Sequence, residues 1–206
     1  MFKRIIVTGT ARWVVLAVLT LLAGVVALLL MGSGSLSTAD DQVRIQQTVR
    51  SALMVRQQLG VPNIQLPGQK DVIHYSGGPM PNDIQQKMLA RIPDQLGKYY
   101  KGEPFSRYTS LLQNSVRREQ SGAVQYLDGG VDSVTYTSIA INGNTARVTA
   151  DAVIWARMAQ DRGNGQKPVE ANPHNTINCV FTLAKQPDGR WLIDSETWTF
   201  APGSEP

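Results

Sequence analysis

The chain has 206 residues, 42% of them hydrophobic and 17% charged, which suffices for one domain with its own core plus an appendage and is far from a disordered composition. Its net charge of +4 is concentrated at the start: Lys3, Arg4 and Arg12 precede the first acid, and without them the remainder stands at +1. A nearly neutral remainder without a Lys/Arg run lacks the electrostatic footprint of phosphate-backbone recognition, so no nucleic-acid partner is expected.

After the basic residues 1–12, the segment 13–31, from Trp13 to Met31, carries no charge. As a helix rising about 1.5 Å per residue it matches the ~30 Å hydrocarbon core of a bilayer. A cleaved secretory signal shares the basic start, but its apolar core is usually about 7–15 residues. The stretch "GSGSLSTAD" that follows offers small residues without a clean Ala-x-Ala. The expected reading is a retained single-pass anchor in contact with the lipid bilayer. Lys3, Arg4 and Arg12 before the span place the N-terminus in the cytoplasm and the rest outside. No Asn-x-Ser/Thr acceptor occurs, and a bacterial plasma membrane is the simplest setting.

Residues 32–37 read as a flexible spacer, and 38–59 as an amphipathic helix with Thr38 as cap and Gly60 after its last apolar residue. Ile45, Val49, Ala52, Leu53 and Leu59 fall on one face. The Pro- and Gly-rich stretch 61–82 reads as a long loop. Asn82, with Gln85 as capping-box partner, opens a second helix that Pro93 should end near Ile92. A third helix over 103–120 has Pro104 in its first turn and Phe105, Tyr108, Leu112 and Val116 on one side. Of the preceding pair Tyr99–Tyr100, one ring should pack in the core and the other along the surface.

From about residue 131 the texture turns to β-branched alternation. "VDSVTYTSIAI" and "NTARVTADAVIWARMAQ" should pair across Asn142-Gly143, with Ala146, Val148, Ala150 and Ala152 on one face. "DRGNGQKPVEANPHN" reads as a polar connection. A closing hairpin puts Ile177, Cys179, Phe181 and Leu183 on one side and turns at Pro187-Asp188-Gly189. Strict alternation in the last strand then places Asp194, Glu196, Trp198 and Phe200 on the face opposite Trp191 and Ile193. The expected fold class is α+β: an N-terminal transmembrane helix, then about three helices packed on a curved antiparallel sheet of about four strands over 38–200, with a short tail at 201–206.

The first helix at 38–59, two shorter helices, the hairpin around "AINGNTARVTADAVIW" and the closing "FTLAKQPDGRWLIDSETW" resemble the nuclear transport factor 2-like superfamily, whose cone-shaped fold is shared with ketosteroid isomerase. Behind a membrane anchor, such a domain resembles scaffold subunits of conjugation and type IV secretion channels, or small membrane proteins associated with transporters. That resemblance implies docking to protein subunits of an envelope complex or to a second copy. Enzymes of the superfamily use a carboxylate inside the cone, often beside His or Tyr. The matching candidates here are Asp132, Asp151, Asp194 and Glu196, with Tyr136 as the nearest phenol and Trp198 as an indole wall. Asp151, Tyr136, Asp194, Glu196 and Trp198 therefore form the candidate pocket for a small apolar ligand.

The two histidines, His74 and His174, sit in polar Gly/Pro-bearing segments and read as solvated loop residues, so the usual base is missing. Cys179, the single cysteine, reads as a buried small hydrophobe and allows neither a disulfide nor a cysteine zinc site. No nucleophile elbow, zinc-protease motif or phosphate-cradling loop occurs. The expectation is a non-catalytic docking module without metal or cofactor. A ligand- or lipid-binding cone is the alternative, and an isomerase- or dehydratase-like enzyme the second alternative.

Overall fold

The computed structural model describes residues 38–66, 73, 80–119, 124–160 and 168–204. The expected anchor from Trp13 to Met31, its flanking Lys3, Arg4 and Arg12, and His74 lie outside them. Among the described residues no helix is long and apolar enough to cross a membrane. The chain divides into two compact units, 1–41 and 42–206, and of the first only the opening turn of a helix is described.

That helix, α1, spans 38–58, as its apolar stripe predicts. Ile45, Val49 and Leu53 along it, and Leu59 just after it, are fully buried, each contributing about 1.5–3 kcal/mol by leaving water. α2 spans Asn82–Leu96 and differs from expectation at both ends. Pro81 takes the N-cap position without a side-chain cap bond, and the helix runs through Pro93 rather than stopping before it. Proline lacks the N–H and its ring crowds the preceding turn, yet the helix continues past it, with Pro93 O accepting from Gly97 N at 3.0 Å. Burial of Ile92, Gln95 and Leu96 holds that last turn in place. α3 spans Gly102–Glu119 and buries Tyr108 and Val116. Between α2 and α3, Tyr100 enters the core at 1% exposure while Tyr99 stays half-buried.

Five strands follow: β1 Val124–Asn142, β2 Thr145–Gln160, β3 Val169–Ala171, β4 His174–Lys185 and β5 Trp191–Phe200. They form one antiparallel sheet in the order β1-β2-β4-β5, with β3 paired to the end of β2. The expected polar connection thus contains a short strand, and β4 begins at His174, so this histidine is an exposed strand residue rather than a loop residue. β1 starts at Val124, well before the β-branched run, and three register irregularities along it absorb its length against β2. The β1–β2 turn has Gly143 as its first central residue at φ 56, the backbone a two-residue type II′ loop requires there.

The alternation of β2 holds: Ala146, Val148, Ala150 and Ala152 are buried and join Ile177, Cys179, Phe181 and Leu183 of β4 in one core with the helices. These small residues leave room for α1 against the sheet. At Gly129 the approach is close enough that a Cβ there would stand 2.8 Å from Gln57 O. The opposite sheet face carries the polar alternates of β2 and β4.

Candidate functional site

One irregularity fixes which side chains of β5 enter the core. Leu183 pairs with Ile193 but Thr182 pairs with Ser195, so Asp194 is the extra residue of a β-bulge. Because side chains alternate with period 2, one inserted residue exchanges the two faces for everything after it. Glu196, opposed to Phe181, therefore points into the core together with Trp191 and Ile193, which strict alternation would place opposite it. Asp194 is expelled to the surface, where Lys101 Nζ lies 3.5 Å away. The neighbouring 99–101 segment accounts for the local geometry. Lys101 N donates to Ile193 O at 2.9 Å, and Ile193 N donates to Tyr99 O at 2.8 Å.

Inside, Glu196 meets Arg56 of α1. Arg56 Nη1 donates to Glu196 Oε1 at 2.5 Å and to the Tyr108 hydroxyl at 2.6 Å. The two charged side chains are 8% and 0% exposed. Burial disfavours the Arg56 charge, but Glu196 and the two tyrosine hydroxyls outweigh it and hold this guanidinium more basic than free arginine. Two guanidinium groups lie over the Tyr108 ring, Arg56 4.7 Å and Arg107 4.9 Å from its centroid. Arg107 Nη2 also donates to Glu196 O at 3.0 Å, closing the outward edge of β5. Tyr100 packs on Tyr108 with ring centroids 5.3 Å apart. Burial first, with Glu196 adding to it, holds the Tyr100 hydroxyl well above the usual phenol range. Among the described residues neither Tyr100 Oη nor Glu196 Oε2 completes a hydrogen bond. The cluster is a closed acid–base set: its carboxylate already has a cation, and its phenols stay protonated near neutral pH.

A cavity of about 220 Å³ adjoins it between α1, α3 and the β1–β2 edge. Arg56 and Tyr108 form its polar floor, Leu112, Tyr126 and Ala156 its apolar sides, and Leu111, 56% exposed, its rim.

The five pocket candidates do not converge. Tyr136, opposed to Ala150, lies on the core side, and its hydroxyl donates to Gln46 O of α1 at 2.7 Å. Burial pushes its phenol up to about 12, so it serves as a strut between β1 and α1. Asp151 lies on the other face, accepting from Asn178 Nδ2 at 2.7 Å. Asp194 is at the surface bulge, Glu196 is deep in the core, and Trp198 is 40% exposed at the end of β5, in edge-to-face contact with Phe200 at 5.3 Å. Asp132 binds His174 Nδ1 at 3.0 Å on the exposed face. Among the described residues no group of His, Cys, Asp and Glu is arranged to hold a metal ion.

Arg56 was legible as an anomaly: it continues the stripe of Ile45, Val49, Ala52 and Leu59, a charge where the helix buries everything else. Arg91 is the same anomaly on α2. Its Nη2 donates to Leu59 O at 2.8 Å and to Val61 O at 2.5 Å, capping the carbonyl end of α1. Burial lowers its pKa to about 10, partly offset by Glu119. Glu119 itself is pushed up to about 8 by burial, against a hydrogen bond from the Tyr126 backbone and the Arg91 charge.

No protein-family model matches the chain, and no curated protein does. Partial likeness is found among solved structures. The intermembrane-space region of the chloroplast protein ARC6 is 17% identical over 55% of this chain and 78% of its own, with a TM-score of 0.32. An NTF2-like protein involved in plasmid conjugation is 12% identical over 64% of this chain and 45% of its own, with a TM-score of 0.34. An NTF2-like superfamily protein from Salmonella enterica is 17% identical over 59% of this chain and 96% of its own, with a TM-score of 0.35.

Proposed function

We propose that the chain is a single-pass, membrane-anchored and non-catalytic docking module of a bacterial envelope complex, its domain outside the plasma membrane. The observation that carries this reading is the outer edge of the sheet. β5 is outermost, and its outward edge is occupied at Ile193 by the 99–101 segment and at Glu196 by Arg107. Beyond that point β4 pairs with Thr197–Phe200 on the inner side, while on the outward side no strand among the described residues does, and Trp198 and Phe200 form a partly exposed aromatic pair there. An open strand edge beside an exposed indole suits β-strand addition by a partner subunit or a second copy. The dispersal of the candidate carboxylates, Asp151 on the outer sheet face, Asp194 at the surface and Glu196 paired in the core, supports this reading. The test is a photo-crosslinker in place of Trp198 in the full chain, irradiated in membranes. Crosslinks to a protein are expected, and recovery of monomer alone counts against docking at this edge.

A second reading rests on the 220 Å³ cavity, smaller than the ~300–1,000 Å³ of drug-sized ligand pockets and so sized for a fragment-like molecule with an apolar body and one hydrogen-bond acceptor reaching Arg56 and Tyr108. Native mass spectrometry of the purified chain would show a co-purifying mass, and a protein that stays empty across detergents argues against it.

A further inference from the structure

A second concavity, of about 370 Å³, lies between α1, the α2–α3 turn and the β4–β5 turn, away from the Arg56 cluster. Its α1 wall is the row Arg44, Gln47, Thr48 and Ser51, one helical stripe of polar side chains spaced i, i+3, i+4, i+7. Lys98 enters from the α2–α3 turn and Arg190 from the β4–β5 turn, so three elements each bring one cation to the same groove. Among the described residues the acid lining it is Asp188, which accepts from Arg190 Nε at 2.7 Å; Lys98 is shared with Asp94 at 3.9 Å and Gln95 Oε1 at 3.0 Å outside the lining, and Arg44 leaves the groove net cationic. Arg44 Nη1 lies over the turn, 3.5 Å from where a Cβ on Gly189 would be. Trp191 and Tyr99 back the groove, Trp191 at 2% exposure, so it is a shaped recess with a firm floor rather than a scatter of surface charges.

Converging guanidinium and ammonium groups with hydroxyl donors are the chemistry that recognises a phosphate monoanion, and the volume falls in the range of about 300–1,000 Å³ that small ligands occupy. This proposal rests on the anchored reading above, which ties the chain to a bilayer whose headgroups include anionic phosphates. We propose that this groove binds the phosphate headgroup of an anionic phospholipid in the membrane that carries the chain, adding a headgroup-dependent hold on the domain to the covalent tether.

The experiment uses the full chain in nanodiscs of phosphatidylcholine with increasing phosphatidylglycerol, followed by amide hydrogen exchange. Peptides covering 44–51 and 188–191 should slow only when phosphatidylglycerol is present. Arg44→Gln should raise the anionic mole fraction needed for half-protection roughly 5-fold, and Arg44→Gln with Lys98→Gln further. Arg117→Gln with Arg118→Gln, exposed cations at the end of α3 outside the groove, should leave that midpoint unchanged. Equal protection in pure phosphatidylcholine, or an equal loss in the α3 variant, overturns the proposal. Protection by inorganic phosphate in pure phosphatidylcholine discs overturns the lipid source in favour of a soluble anion. Failure of the chain to enter discs at all sinks the anchored reading instead, and this proposal with it.

Discussion

Replacing Glu196 with alanine leaves the Arg56 guanidinium, 8% exposed, without its counter-charge. With Nη1 and Oε1 2.5 Å apart, their attraction at an effective dielectric of ~20 is roughly 6–7 kcal/mol. Desolvating each ion costs several kcal/mol, so the intact pair is close to break-even while the stranded cation is not. Removal of one partner of such a pair costs about 3–5 kcal/mol. Tyr108 remains as acceptor at 2.6 Å, which favours the low end of that range. For a unit of this size ~3 kcal/mol lowers the melting temperature by about 6–12 °C. Replacing both partners with apolar residues, Arg56→Met with Glu196→Leu, removes both desolvation penalties and should return stability to within ~1 kcal/mol of the parent. Urea unfolding of the purified parent, the Glu196→Ala variant and the double variant, followed by tryptophan fluorescence, reads all three values. A Glu196→Ala cost below ~1 kcal/mol, or a double variant no more stable than the single, would refute the picture of a buried pair that destabilises mainly when halved.

Glu119 gives a pH dependence of definite sign. Its carboxyl titrates at about 8 in the folded chain, against about 4.3 unfolded. The folded state therefore holds the extra proton between those values, and stability is highest below the lower one. It falls by at most ~1.4 kcal/mol per pH unit as pH rises, and levels off once both states are ionised. Glu119→Gln should flatten that slope in urea titrations between mildly acidic and mildly alkaline pH, and an unchanged slope would assign it to other groups. Gly129→Ala puts a methyl group 2.8 Å from Gln57 O, so α1 or β1 must shift. A loss of about 1–3 kcal/mol is expected in the same assay, and a neutral result would mean that the contact relaxes freely. Burial pushes the Cys179 thiol up to about 12, with Glu196 adding to it. Alkylation at pH 8 should therefore be negligible until denaturant is added, and rapid labelling of the native chain would place this thiol outside the core.

Much of the architecture was written locally. Each stretch with a strong period and clear punctuation, such as Ile45 to Leu59 on α1, Ala146 to Ala152 on β2 and Ile177 to Leu183 on β4, has a single way to bury its apolar side. The turns at Gly143 and at Asp188-Gly189 follow from residues that meet particular backbone demands at low cost. β3 and the early start of β1 were not legible, since Val169–Ala171 and Val124–Gly130 gain strand structure by pairing with β2 rather than from their own composition.

The candidate site divides along the same line. That Arg56 sits in an apolar stripe is a property of the sequence, and it demands a buried counter-charge from somewhere. Which acid answers it depends on one bulged residue in a strand 140 positions away. The bulge at Asp194 arises where Tyr99 and Lys101 bond the outward edge of Ile193, a contact between segments that periodicity cannot see. Alternation by itself puts Asp194 and Glu196 on one face, and only the tertiary edge contact decides that one faces water and the other faces Arg56.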